Sequence, residues 1–498
     1  MFEKLLFNLI WILPFLTILI SIPIPKEKVR CIRNIHLGSA TLVLLITLFL
    51  AFQMFFQTKP YTSGNTFDLF YLTTFPWLSS ISSNYLVGAD ALSILMLVLS
   101  AIIIWTGILA SFKLNKDHKL FFGFIQILAA SVYGVFMSFD LVLFFVFYEM
   151  EALCMYIMIA KFGSGNKDYG AKKLTLTLAV GSSMVLAVFL GIYAETSTWN
   201  LLKLGNIHLS ETFQMWAFPL LFMGFAVSSS LFPFHFWSPA GHSAAPTAVS
   251  MFAAGVMMKM GAYACLRVAV YLMPEAAKVW LPVLLFFVLF NVVLGPFIAM
   301  RHKDLKFITA YSSISHLGLI FLGICAMNPT AFRGASLQML SHGFLTGLFF
   351  ATIGMIYGRT HTRNIDEMGG LMKVLPFIGV GFVLAGFAGL GLPGFSGFIA
   401  EASIFVGSFQ NETTLCRIVT ILAILSVTAT AVYILQTANK MLHGPLNPKF
   451  ANLTDAEFPE KVVIVVFVLC LLILGLCPLP FADFLDTSIM PIYANLTR

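Results

Sequence analysis

Long apolar runs separated by short polar segments recur from one end of this 498-residue chain to the other. About 20 consecutive apolar residues let a helix cross the hydrocarbon of a bilayer. By that measure 14 segments qualify: residues 5–25, 35–56, 86–112, 119–139, 141–161, 171–194, 215–236, 245–273, 279–300, 305–327, 335–357, 374–408, 416–438 and 461–480. Two of them are interrupted. The seventh contains AVSSSLFPFHFW, with Pro233 two residues before His235, and the twelfth contains AGLGLPGFSGFIAE, with Pro393 in a glycine-rich stretch. Proline removes a backbone donor and clashes with the preceding turn. Backbone groups freed at membrane depth persist only when buried in protein or facing a water-filled cavity. Broken helices at matching places in two halves mark transport sites built on inverted repeats. The two breaks are five spans apart, and an odd number of spans reverses orientation. The pattern therefore predicts two inverted five-helix repeats, spans 4–8 and 9–13. Residues 1–498 are expected to form a single membrane domain. Its parts are three leading spans (1–112), the repeats (113–273 and 274–440) and a final loop and span (441–498).

Composition agrees. Only 10% of residues are charged, 59% are apolar and the mean hydropathy is +0.92, whereas soluble domains carry roughly 25% charge. The expectation is an all-α polytopic membrane protein. The first run follows Lys4 as a signal peptide would, but it lacks a small-residue cleavage site and reads as a retained span. Most of the 29 lysines and arginines fall in alternate loops, around Lys26–Arg33, Lys113–Lys119, Lys161–Lys173, Arg301–Lys306, Arg359–Lys373 and Lys440–Lys461. Positive residues concentrate on the inner side of a membrane, which places both termini outside and accounts for the net charge of +7 without nucleic acid. The seven cysteines are scattered, with no CxxC, and there is no GxxxxGK[ST]. No metal, iron–sulfur cluster or nucleotide is expected in this chain. Aromatic residues in the polar stretch 57–85 suggest interfacial pieces.

Chemistry enters with the few ionisable groups inside spans. Lys259 lies in the middle of SMFAAGVMMKMGAYACLR, and Glu149 and Glu401 sit in equally apolar helices. Such groups are costly in a bilayer, and they mark ion paths, cavities or protein interiors. Three of them on three helices point to movement of protons or cations. His316 and His342 titrate in the right range to relay between Lys259 and Glu401. His235, Tyr311, Ser312 and Ser313 are candidates to line a wet region. Arg267, near a helix end, is expected to snorkel or pair. Glu151, two residues from Glu149, faces another side of its helix and is the weaker candidate of the two.

Several stretches are similar to known signatures. FPFHFWSPAGHSAAPTAVSMFAAGVMMKMGAYACLR resembles the PFHxWLPxAHxxAPxxxSxxLAxxxxKxGxYGxxR run of the antiporter-like subunits of respiratory complex I. RHKDLKFITAYSSISHLG resembles their DLKRxxAYSSxSHxG run. LQMLSHGFLTGLFFATIGMIYGRTHTRNIDEMGGL and LGLPGFSGFIAEASIFVGSF look most like the M-type subunit. The lack of a long C-terminal extension argues against the L-type. The resemblance spans about residues 85–460. It implies 14 helices, two inverted repeats and broken helices seven and twelve. It also implies roles: Glu149 matches the glutamate that the family pairs with a lysine on helix seven, Lys259 the central lysine of helix eight, and Glu401 the exit-side residue of helix twelve. One departure stands out. The helix-seven motif GFAxKxPxxPFH reads GFAVSSSLFPFH here, with Ser228 in place of the lysine. An aspartate usual in LPxAH is also replaced, at Ala240–Gly241. Either the subunit works by a modified route using water held by Ser228, Ser229 and Ser230, or this half is uncoupled and structural. Persistence of the other five groups favours the first.

The resemblance thus implies a proton-translocating membrane-arm subunit of an NADH:quinone oxidoreductase, multi-pass in a bacterial inner membrane. L-type and N-type subunits would be its neighbours. Flavin, iron–sulfur clusters and quinone would belong to partner subunits, with none in this chain. A cation/proton antiporter, a membrane-bound hydrogenase complex or a non-transporting scaffold are the alternatives.

Overall fold

The computed structural model describes residues 1–58, 61, 67–114 and 117–497; of the basic residues used for orientation, Lys59, Lys116 and Arg498 lie outside this set. The chain is a bundle of membrane-length helices. Among the described residues 12 helices are long and apolar enough to cross a bilayer. They are α1 (Phe2–Ser21), α2 (Val29–Gln57), α3 (Ala91–Ala110), α4 (His118–Met137), α5 (Leu141–Phe162), α6 (Lys167–Thr196), α8 (Thr247–Val270), α9 (Pro274–Arg301), α10 (Leu305–Cys325), α11 (Pro329–Thr360), α13 (Thr414–Leu442) and α14 (Phe458–Leu476). The two interrupted spans complete the expected set. One is α7a (Glu211–Ser228) with α7b (Trp237–Ala244); the other is α12a (Pro376–Gly389) with α12b (Ser396–Gln410). An additional helix, α15 (Pro478–Leu496), closes the chain. Its prolines and two aspartates kept it from reading as a span.

The loops sort into two faces. On one, which we call the basic face, Arg363 pairs with Asp304 at 3.2 Å, and Asp366 pairs with Lys303 at 2.5 Å and Lys440 at 3.1 Å. The hydrogen bonds and charges of these two lysines hold the Asp366 carboxyl below its ordinary range. The other face carries a β-hairpin, β1 (Phe70–Leu78) against β2 (Ser83–Ala89), with Phe75 opposite Tyr85 and their rings stacked at 4.5 Å. Phe70, Tyr71 and Trp77 of the aromatic stretch before the third span lie on the first strand of this hairpin.

A matching device on each face displays the internal repeat. Asp140 caps the start of α5 and bridges Asn200, while Asp304 caps the start of α10 and bridges Asn364. Each aspartate accepts from backbone N–H groups of the first turn, which would otherwise have no partner. The same threonine spacing recurs beside them. Thr196 and Thr360 each end a helix, and each accepts from the N–H two residues on. One copy lies on the hairpin face and the other on the basic face, as an inverted repeat requires.

Burial is uneven. The apolar window of α8 is wholly enclosed, and those of α11, α10 and α3 nearly so, whereas α1 and α14 expose most of theirs. The break between α7a and α7b is held by Asn291 of α9, which accepts from Phe232 N–H at 2.7 Å and donates to the Ser230 carbonyl at 3.0 Å. A side chain thus satisfies backbone groups that the lost helix would have paired.

Candidate functional site

Lys259 is fully buried at the centre of α8. Two π-helical stretches, Ala253–Met257 and Cys265–Val270, flank the α-helical segment Met258–Ala264 that carries it. Such π-turns gather at functional sites because they re-aim side chains and leave carbonyls without their usual donor. The Lys259 ammonium donates to one of these carbonyls, that of Ala254. No carboxylate pairs with it among the described residues. At the same level α8 crosses α11 with little between the backbones. A Cβ added at Gly343 would lie 2.9 Å from the Gly255 carbonyl and 2.6 Å from the Leu99 side chain. The close approach brings His342, next in the chain, within electrostatic reach of Lys259.

From His342 the polar groups continue toward the hairpin face. The rings of His342 and His316 lie 5.1 Å apart, tilted by 34°. His316 Nδ1 is 3.4 Å from a Glu401 carboxylate oxygen and 3.3 Å from the Gln338 amide. When Nδ1 carries no proton it accepts from Gln338; when protonated it donates to Glu401. Its partner therefore depends on where the proton is. Glu401 lies one turn into α12b, 6% exposed, with its carboxylate against the break of the twelfth span. Gly391, at φ +63°, forms that break, and a Cβ there would stand 2.7 Å from the Glu401 carboxylate. The left-handed conformation and the close approach both call for glycine. Nearby, the Tyr433 hydroxyl donates to Ser312 at 2.6 Å, and Ser341 and Ser396 hydroxyls meet at 2.7 Å.

Toward the basic face the groups are ones the sequence did not single out. His242 of α7b is 2% exposed, stacked on Phe350 at 5.1 Å, and lies within electrostatic reach of both Lys259 and Lys306. Lys306, at the start of α10 and 5% exposed, donates to the Ala245 carbonyl at 2.5 Å. His242 was present in the quoted SPAGHSAAP run, directly after the broken seventh span, and Lys306 was counted only as a loop charge. Together Lys306, His242, Lys259, His342, His316 and Glu401 form a buried line. It begins where α10 starts on the basic face and ends in the hairpin-side half of the twelfth span. Among the described residues the ring nitrogens of His242 and His342 have no hydrogen-bond partner. Buried polar groups rarely stay so, and both rings lie within electrostatic reach of Lys259.

The remaining candidates stand apart from this line. Glu149 is half-buried on α5, and its carboxylate meets Ser182 of α6. His235 is half-buried, stacked on Phe232 at 5.5 Å and near Lys173. Tyr311 stacks on His302 near the basic face, with ring centroids 5.2 Å apart. Ser228, Ser229 and Ser230 are buried where α7a ends. Ser228 donates to the Phe225 carbonyl at 2.8 Å, and Ser229 donates to that of Met258 at 2.5 Å, beside Lys259 in the chain. Arg267 pairs rather than snorkels. It is 2% exposed and lies 2.5 Å from Asp90, which caps α3.

The sequence and the fold are similar to those of known proteins. Residues 138–427 match the family model described as NADH:quinone oxidoreductase/Mrp antiporter, TM. The chain is 32% identical over 486 residues to NAD(P)H-quinone oxidoreductase chain 4 of Gloeobacter violaceus, covering 93% of this chain and 90% of that one. It is 33% identical over 476 residues to NADH-ubiquinone oxidoreductase chain 4 of Chondrus crispus, covering 94% of each. Its fold superimposes on a chain of respiratory complex I from Thermus thermophilus with bound NADH at a TM-score of 0.87, with 26% identity and full coverage of both chains.

Proposed function

Because the chain belongs to the NADH:quinone oxidoreductase/Mrp antiporter transmembrane family, we propose that it is a proton-translocating membrane-arm subunit of an NADH:quinone oxidoreductase. One observation carries the reading: the buried line of Lys306, His242, Lys259, His342, His316 and Glu401 crosses the core with titratable groups on five elements.

Lysine-rich loops mark the basic face as the inner one, so both termini lie outside. Protons enter near Lys306 and His242 and are held on Lys259, whose site offers a carbonyl and no counter-charge. They then pass through His342 to His316. A proton arriving on His316 Nδ1 turns that atom from acceptor to donor and couples it to Glu401, from which the proton leaves on the outer side. Each step needs only proton transfer between groups in reach of one another or joined by water. The chain carries no redox chemistry of its own. Electron transfer through flavin, iron–sulfur clusters and quinone belongs to partner subunits and drives the line by shifting charge nearby. L-type and N-type antiporter-like subunits are the proposed neighbours in a bacterial inner membrane. Glu149, on the partly exposed side of α5, faces one of them.

Co-purification from native membranes in mild detergent tests the assignment. Recovery with flavin-, iron–sulfur- and quinone-binding subunits is expected. Recovery with only multi-span antiporter subunits, or with a metal hydrogenase, would overturn the NADH:quinone reading.

A further inference from the structure

We propose that Glu151, rather than Glu149, is the proton-exchanging carboxyl group of the first half of the bundle, working with the serine cluster at the end of α7a. The inference rests on the transport reading and deepens it by naming another group on the path.

The two glutamates lie on different stripes of α5. Phe144, Tyr148, Glu151, Met155 and Met158 recur at helical spacing, and all are buried. Val146, Glu149, Leu153 and Tyr156 recur on another side, where the three apolar members are 44%, 61% and 37% exposed. Residues two apart on a helix point to roughly opposite sides. Glu149 therefore stands half-buried on the partly exposed side of α5, and Glu151 faces the interior, 2% exposed.

The interior stripe is aimed at the break in the seventh span. Tyr148, one turn from Glu151, packs on Phe225 with ring centroids 6.1 Å apart, and its hydroxyl meets Ser228. Ser228 and Ser229 are held on carbonyls of α7a and α8, the second beside Lys259. The Ser230 hydroxyl and one Glu151 carboxyl oxygen are buried without a hydrogen-bond partner among the described residues. Hydroxyl groups thus lead from the stripe of Glu151 to the backbone next to Lys259.

The charge environment fits a carboxyl group that is neutral at rest. The titratable groups around Glu151 are Glu149, Tyr148 and Cys154 of its own helix and, across Tyr148, Cys265 of α8. None is a cation, and Ser228 occupies the place where the family resemblance expects a lysine. An isolated carboxylate in an apolar interior is strongly disfavoured, so the resting form holds its proton. In the transfer step the proton leaves the Glu151 carboxyl oxygen and arrives on the neutral Lys259 amine by way of the hydroxyl groups and water bridging between them. This leaves a carboxylate and an ammonium with total charge unchanged. A proton from the basic face then restores the acid. The serine at 228 thereby replaces a fixed ion pair with a transient one.

Infrared difference spectroscopy of the assembled complex during turnover tests this, because a protonated carboxyl has a C=O stretch that a carboxylate lacks. Glu151→Gln should abolish one carboxyl band, told apart from that of Glu401 because Glu401→Gln leaves it in place, and lower the protons moved per electron; Glu151→Asp should keep that band at a shifted frequency. Glu149→Gln should leave the band in place. Persistence of the band in Glu151→Gln, or its loss in Glu149→Gln, would overturn the inference. Neither result touches the transport reading, which fails separately if Lys259→Met leaves protons per electron unchanged.

Discussion

Replacing Arg267 by methionine is expected to destabilise the fold by about 3–5 kcal/mol, the cost of stranding one member of a buried ion pair. Asp90 and Arg267 are each 2% exposed, with the guanidinium 2.5 Å from the carboxylate. The guanidinium also lies 4.3 Å from the Phe67 ring centroid and 5.3 Å from those of Phe139 and Tyr263, each contact adding about 0.5–1 kcal/mol or more when desolvated. Without Arg267, Asp90 keeps the Ser93 N–H at 3.0 Å and loses its counter-charge. The double variant Asp90→Asn/Arg267→Met removes both charges and should recover most of the loss. The assay is the temperature at which the buried thiols of Cys265 and Cys325 become reactive in the purified complex. Acidification gives a second reading. Burial pushes the Asp90 carboxyl up, but Arg267 beside it overcomes this and holds it below the usual range. A depressed carboxyl contributes stability that is fully present above the ordinary value of about 3.9. That contribution is lost as pH falls below this value through the depressed one. Asp90→Asn should remove this acid-sensitive component. A cost below about 1 kcal/mol for Arg267→Met, well short of the range for a stranded buried charge, would refute the reasoning. So would a double variant as unstable as the single one.

Two further expectations concern the line itself. Gly343→Val should cost about 1–3 kcal/mol from overpacking against Leu99 and the Gly255 carbonyl. It should also lower protons pumped per electron by parting His342 from Lys259, and a variant normal in both stability and pumping would show that the crossing does not position the pair. Glu401→Gln keeps the shape of the side chain but cannot take a proton from His316. Protons per electron should fall in vesicles holding the complex, and an unchanged ratio would remove Glu401 from the exit.

The spans and their two breaks were legible because each rests on a local rule: apolar length, and proline with glycine at membrane depth. The interior of the site was legible in part. Lys259, His316, His342 and Glu401 could be picked out because ionisable residues are rare in apolar helices. Which side each faces could not, and α5 shows why. In LVLFFVFYEMEALCMY the lipid-side and core-side stripes are equally apolar, so no periodicity separates Glu149 from Glu151. Only the packing of α4, α6 and α7a around the helix decides. Lys306 was hidden for another reason: a lysine at a span boundary reads as a topology signal, and its burial depends on α7b folding over it to present the Ala245 carbonyl. α15 escaped because its polar residues are matched by partners far away in sequence, such as Arg333 for Asp486 and Tyr271 for Asn495.

Proton storage on Lys259 is tested by the number of protons moved per electron by the intact complex carrying Lys259→Met. The ammonium has a backbone carbonyl as its partner and no paired charge among the described residues, so methionine fills its volume without stranding a charge, and the complex should assemble. Electron transfer should then move fewer protons, because the central holding site is gone. A ratio equal to that of the unaltered complex would contradict such storage.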